Sequence, residues 1–167
     1  MDIKEKKYPH TRWIFAFPGL GKTTLAEKDE RFSDIDGGTL RRMIGGPKRA
    51  NVSPRRDTVR VAIKQLAKLA IRNGNIVLNN EPTLINWVTE QEYNPIIVVP
   101  TDLRVVLERI GQRDGFDSDF YKLVRDQGPV WMRYWISQAE RNHIPIISSN
   151  SLEDVVSQLN LGDTGHF

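Results

Sequence analysis

Short apolar runs separated by polar and periodic stretches give the chain its first outline. Thr11 to Phe17 is β-branched and aromatic and runs straight into Pro18-Gly19-Leu20-Gly21, which predicts a buried strand ending in a sharp turn. Lys22 to Asp29 reads as a short helix and Phe32 to Asp36 as a second strand. Thr39 to Ile44 is expected to form a helical turn closed by Gly45-Gly46-Pro47, followed by a basic loop from Lys48 to Val52. Ser53-Pro54 starts a helix, with Ser at the N-cap and Pro at the first helical position. Val59, Ile63, Leu66, Ala67 and Ala70 then recur at three-to-four spacing until Asn73-Gly74 stops it.

Ile76-Val77-Leu78 predicts a third strand, Pro82 to Glu90 a helix, and Pro95 to Pro100 a fourth strand. Asp102 to Arg113 is helical, with Leu103, Val106, Leu107 and Ile110 on one face. Two further helices, Asp117 to Asp126 and Val130 to Arg141, are expected before a last strand at Ile144 to Ser148. Ser151 with Asp154 has the form of a capping box opening a final helix. Trp131, Tyr134 and Trp135 fall at helical spacing in an apolar stretch and are assigned to core packing.

Five short apolar strands alternating with helices predict an α/β fold: a mostly parallel five-stranded sheet with helices on both faces. Ligands of such sheets sit beyond the carboxyl ends of the strands. Phe17, Asp36, Leu78 to Asn80 and Pro100 fall there.

Composition narrows the setting. With 167 residues, 39% hydrophobic and 27% charged, the chain is expected to be one soluble domain spanning 1–167. The absence of Cys excludes disulfides, thiolate metal sites and Cys nucleophiles, and fits a reducing compartment. No apolar run approaches the roughly 18 residues of a membrane span, and the polar start from Met1 to Lys7 is unlike a signal peptide. The expectation is a cytoplasmic protein without a membrane partner. His10, His143 and His166 form no metal-ligand spacing.

Charge adds a location. Of 24 basic and 21 acidic residues, seven basic (Arg41, Arg42, Lys48, Arg49, Arg55, Arg56, Arg60) and one acidic (Asp57) lie between 41 and 60. That segment carries +6 and the remainder, with 17 basic and 20 acidic residues, −3. A localised basic stretch on a near-neutral body points to a polyanion site, with a solvated basic face as the plain alternative.

The most specific motif is Ala16-Phe17-Pro18-Gly19-Leu20-Gly21-Lys22-Thr23, a phosphate-binding loop with Ala in place of the usual first glycine. Glycines let backbone N–H groups converge on phosphates, Lys22 reaches the β and γ oxygens, and Thr23 offers a hydroxyl to Mg2+. Thr24 completes the nucleotide-binding set. A GTPase would show an Asn-Lys-x-Asp motif, and a motor-type ATPase a strand ending in Asp-Glu, whereas this one ends in Asn79-Asn80-Glu81. Transfer of a phosphoryl group from ATP to a hydroxyl fits better. Arg109 and Arg113 are four apart on one helical face with Gly111 and Gly115 as hinges, an arginine clamp for a phosphoryl transition state.

Over Trp13 to Gly115 the chain resembles the phage P-loop kinases acting on nucleotides or nucleic acid. Polynucleotide kinase and the smaller 5-hydroxymethyluracil DNA kinases are the nearest in pattern. The resemblance is carried by Pro18 to Thr23, by Asp34-Ile35-Asp36-Gly37-Gly38-Thr39-Leu40-Arg41, by the polar cluster Asn79-Asn80, and by Glu108 to Gly115. It implies a P-loop NTPase fold, ATP and Mg2+, and a DNA acceptor. Gly38 stands where the family carries its acceptor-side Asp, so the base role is moved to Asp36, whose other reading is an N-cap for the Thr39 helix. Asp34 is assigned a supporting role. Arg41 matches the family's acceptor-phosphate Arg, and Arg113 its lid arginine. Arg42, Arg49, Arg55 and Arg56 are expected to contact DNA. Asn79 and Asn80 orient the acceptor or cap the strand. The second protein contact to Mg2+ comes through water or from Asp36. A deoxynucleoside monophosphate kinase and a nucleotide-gated DNA-binding module are the alternatives.

Overall fold

The computed structural model describes residues 10–36 and 53–159, with backbone alone over 53–57. The predicted turn at Thr39 to Ile44 and the loop at Lys48 to Val52 lie outside these residues. The strands are β1 (Trp13–Ala16), β2 (Phe32–Asp34), β3 (Ile76–Asn79), β4 (Ile96–Val99) and β5 (Ile146–Ser148). The helices are α1 (Lys22–Lys28), α2 (Ser53–Arg72), α3 (Ile85–Glu90, preceded by a 3-10 turn at Pro82–Leu84), α4 (Leu103–Asp114), α5 (Asp119–Arg141) and α6 (Leu152–Val156).

All strand pairs are parallel and the sheet order is β2-β3-β1-β4-β5. The fold is thus α/β with a five-stranded, all-parallel sheet flanked by helices. Period-two alternation divides its core into two layers. Ile14, Ala16, Leu78, Ile96 and Val98 join Leu25, Val106, Ile110 and Val155 on one face. Trp13, Phe15, Val77, Ile97 and Val99 join Ile63, Ala67 and Val88 on the other. Because both faces are covered, the central strands read as uninterrupted apolar runs, which is why the sequence reveals them.

From β1 the chain crosses to the β2 edge, returns to β3 beside β1, and then passes to β4 on the opposite flank. The order therefore runs both ways from β1, and the crevice beyond its carboxyl end is the place for a ligand.

Three local expectations are corrected. The two helices expected around Gly128-Pro129 are one, α5, with Pro129 inside it. Pro129 and Arg125, the residue whose carbonyl loses its helical donor, both sit on the exposed side, and Gly128 packs against Leu103 where a Cβ would come within 3.0 Å. The capping box of Ser151 does not form: its side chain makes no cap bond, and the Leu152 N–H donates to the Leu20 carbonyl at 3.0 Å. Tyr134 is 44% exposed, whereas Trp135 is buried and Trp131 touches both layers. Among the described residues no helix is long and apolar enough to cross a membrane.

Candidate active site

The turn from Phe17 to Gly21 leads β1 into α1, anchored by the Phe17 N–H donating to the Val98 carbonyl at 3.0 Å. Gly19 and Gly21 both adopt left-handed φ, +85° and +93°. At Gly19 space is also limiting, since a Cβ would lie 2.6 Å from Val106 Cγ1. The first bond of α1 runs from the Leu25 N–H to the Gly21 carbonyl. The N–H groups of Lys22, Thr23 and Thr24 thus precede any intrahelical partner and point out of the helix start.

Lys22 is the buried cation of this turn, 8% exposed, with Nζ 3.9 Å from Asp36 Oδ2. Burial pushes its pKa down, and the charges of Asp36 and Asp34 oppose that fall. Asp36 lies just past β2, on a segment still tied to β3 by the Ile35 N–H donating to the Leu78 carbonyl at 2.9 Å. Thr23 Oγ1 donates to Asp34 Oδ2 at 2.9 Å, while Asp34 Oδ1 is buried with no hydrogen-bond partner among the described residues. Burial raises the Asp34 pKa, as does the neighbouring Asp36 carboxylate, against the Thr23 hydrogen bond and Lys22.

Lys22, Thr23 and Asp36 meet in one cavity of about 810 Å³, lined also by Pro18, Gly19, Thr24, Asn80, Arg113, Asp114 and Phe120, with Asp34 behind Thr23 and outside the lining. Of the sequence-predicted residues, the turn, Asp36, Asn80 and Arg113 are therefore brought together. Arg113 pairs with Asp114 at 2.9 and 2.8 Å, which holds its guanidinium at the cavity rim.

Others are placed differently. Asn79 is fully buried, its Nδ2 donating to the Ile35 carbonyl and its Oδ1 accepting from the Glu81 N–H, both at 2.7 Å. Both ends of the amide brace the β2–β3 edge, so its expected contact with the acceptor is corrected to the strand-cap alternative. Arg109 Nη1 donates to the carbonyls of Gly19 (3.1 Å) and Asn150 (2.6 Å), which makes it a strap across the turn. Leu20 is 1% exposed and contributes backbone alone. Gly111 lies inside α4 beneath the Phe116 ring, where a Cβ would clash, so packing and not hinging explains it. Gly115 caps α4 with φ +97°. Arg41, Arg42 and Arg49 lie outside the described residues. Arg55 and Arg56 fall in the first turns of α2, where the backbone alone is described.

Sequence reasoning missed Asp114 and Phe120, and it left open which residue Asp34 supports, which is Thr23. The Asp34 contact with Thr23 joins residues eleven apart through the packing of α1 on β2, which no local spacing shows. For a hard divalent cation the Thr23 hydroxyl, which lines the cavity and is held by Asp34, is a suitable donor. Mg2+ needs only one or two protein oxygens when phosphates and water fill the rest. Comparison with protein-family models, with curated proteins and with solved structures finds no match.

Proposed function

We propose that the chain is a P-loop kinase that transfers the γ-phosphoryl group of ATP to a hydroxyl on a nucleic-acid acceptor, with the 5-hydroxymethyl group of 5-hydroxymethyl-deoxyuridine in DNA as the preferred substrate. The observation that carries this reading is the buried Lys22 facing Asp36 across 3.9 Å at the carboxyl end of a parallel sheet, in a cavity that also takes Arg113. In it, the glycine turn and α1 start hold the β and γ phosphates, and Lys22 neutralises their charge. Thr23, its hydroxyl held by Asp34, would hold Mg2+ together with Asp36 or water, and the ion would supply neutralisation of phosphate charge. Asp36 accepts the hydroxyl proton as the acceptor oxygen bonds to the γ phosphorus, the bond to the β-bridging oxygen breaks, and ADP leaves. Arg113 exchanges Asp114 for the transferring phosphoryl group.

The acceptor class rests on charge and on the resemblance to phage DNA kinases. A mononucleotide offers one phosphate, and seven cations within residues 41–60 exceed what one phosphate engages. Incubation with γ-labelled ATP tests the reading on two acceptor panels. Label is expected on hydroxymethyluracil oligonucleotides and absent from free nucleotides. The reverse pattern would make the chain a monophosphate kinase, and label on neither a binding module.

A further inference from the structure

Phe120 is the cavity side chain that neither the core nor phosphoryl chemistry accounts for. Its ring lines the cavity with Asp36, Asn80 and Arg113, and it is 37% exposed. Among the described residues it joins neither apolar layer, whereas its neighbour Tyr121 packs on the first layer and meets Phe116 edge-on at 5.2 Å. The Arg113 guanidinium lies over one face of the Phe120 ring, 6.0 Å from its centroid, so a base would stack on the other face or in its place. An aromatic ring left at a polar, cation-bearing cavity forgoes its burial in the core, and its π-face is a surface for another planar group. The Asn80 amide in the same cavity offers one donor and one acceptor group, which suits the edge of a base.

We propose that Phe120 is the platform on which the heteroaromatic base of the acceptor stacks, with Asn80 at the base's hydrogen-bonding edge. This rests on the kinase reading above and adds how the acceptor is selected. In that reading the phosphates of the donor occupy the Lys22, Thr23 and Thr24 side of the cavity, which leaves Phe120 and Asn80, lining the same cavity as Asp36, for the acceptor. A sugar or aliphatic hydroxyl gains little from an exposed ring, whereas base–aromatic stacking is worth about 1–3 kcal/mol per base. A base within a duplex must leave its stack to reach this ring, so single-stranded or extruded substrate is required.

Two readouts on the full chain test the platform. In the transfer assay, Phe120→Leu is expected to raise the oligonucleotide KM about tenfold while the ATP KM stays within about twofold, and Phe120→Trp to restore the acceptor KM. Independently of transfer, the fluorescence of a 2-aminopurine base in a short oligothymidine is expected to be quenched on binding, less so by Phe120→Leu, and to recover when excess hydroxymethyluracil oligonucleotide competes. Wild-type acceptor KM and quenching in Phe120→Leu, or a loss that Phe120→Trp fails to restore, overturns the platform and leaves the kinase reading standing. Quenching that depends on Phe120 in a protein that transfers to no acceptor overturns the kinase reading and keeps the platform.

Discussion

The two ends of one sheet both carry a cavity large enough for a small ligand, and their chemistry differs. Beyond the carboxyl ends lies the cavity of about 810 Å³, where buried Lys22 faces Asp36 and Thr23 holds Asp34. At the amino ends a cavity of about 550 Å³ is lined by Thr11, Thr89, Glu92, Asn94, Asn142 and His143 beside Pro95, Ile96, Ile144 and Pro145. No Lys or Arg lines it among the described residues. Among the described residues the non-glycine positions with positive φ, His10, Glu92, Asn94 and His143, gather at that end, in short connections that reverse the chain before β1, β4 and β5. Volume therefore does not separate a site from a seam. What separates them is opposed charge held out of water, which costs folding free energy and, on the proposed kinase reading, is retained because it has chemistry to perform. Left-handed backbone at the amino end serves connectivity.

The contrast breaks first if charge at the carboxyl end proves dispensable. Lys22→Ala is expected to lower phosphoryl transfer about 10³-fold, since a preorganised cation on the transferring group is worth that much. Transfer within tenfold of wild type would remove the site from this cavity. Asp36→Asn is expected to cost about 10²-fold in kcat with the ATP KM nearly constant, the range of a lost general base. Full activity in this variant would return Asp36 to a capping role.

Asp34 sharpens the comparison because it separates function from stability. Its folded pKa is raised by burial and by Asp36, so its ionised form is disfavoured in the folded state. The destabilisation is absent below the ordinary carboxyl pKa of about 4 and grows as pH rises through the raised folded value. Asp34→Asn should thus melt higher than wild type at pH 7 and close to it at acid pH, while requiring about tenfold more Mg2+ for transfer. A melting difference that widens toward acid pH would refute the sign, and an unchanged Mg2+ requirement would detach Asp34 from the metal.

How far the sequence reveals the molecule follows the range of the interaction concerned. Buried parallel strands announce themselves as apolar runs, and Asp102 marks a helix start by local chemistry, its Oδ1 accepting from the Arg104 N–H at 2.9 Å, whereas Gly115, read as a hinge, caps the helix end. The glycine turn is legible because left-handed φ restricts both glycines and space restricts Gly19 as well. Pro129 misleads because a proline breaks a helix only where its lost donor matters, and here the affected turn faces outward. Arg109, Asn79 and Asp34 are illegible for a different reason. Each is defined by a partner far along the chain: Arg109 by Gly19 and Asn150, Asn79 by Ile35, and Asp34 by Thr23. An arginine that binds phosphate and one that straps two backbone carbonyls look the same in sequence.

The smallest expected effect belongs to the amino end and tests the comparison from the other side. Thr11 is 2% exposed and its Oγ1 has no hydrogen-bond partner among the described residues. If that cavity is a seam between connections, the hydroxyl contributes nothing and its desolvation is a small cost, so Thr11→Val, nearly equal in shape, removes the cost. A gain of up to about 1 kcal/mol is expected, or about 2–4 °C in Tm for a chain of this length, with transfer kinetics unchanged. A loss of stability would mean that the hydroxyl is satisfied by a group or water inside the cavity. A loss of transfer would couple the two ends of the sheet and erase the division between them. The same valine exchange at Thr23 has the opposite expectation, because there the hydroxyl donates to Asp34 beside the cavity. Two threonines at opposite ends of one sheet thus give opposite answers to one substitution, and the difference lies in what each hydroxyl faces.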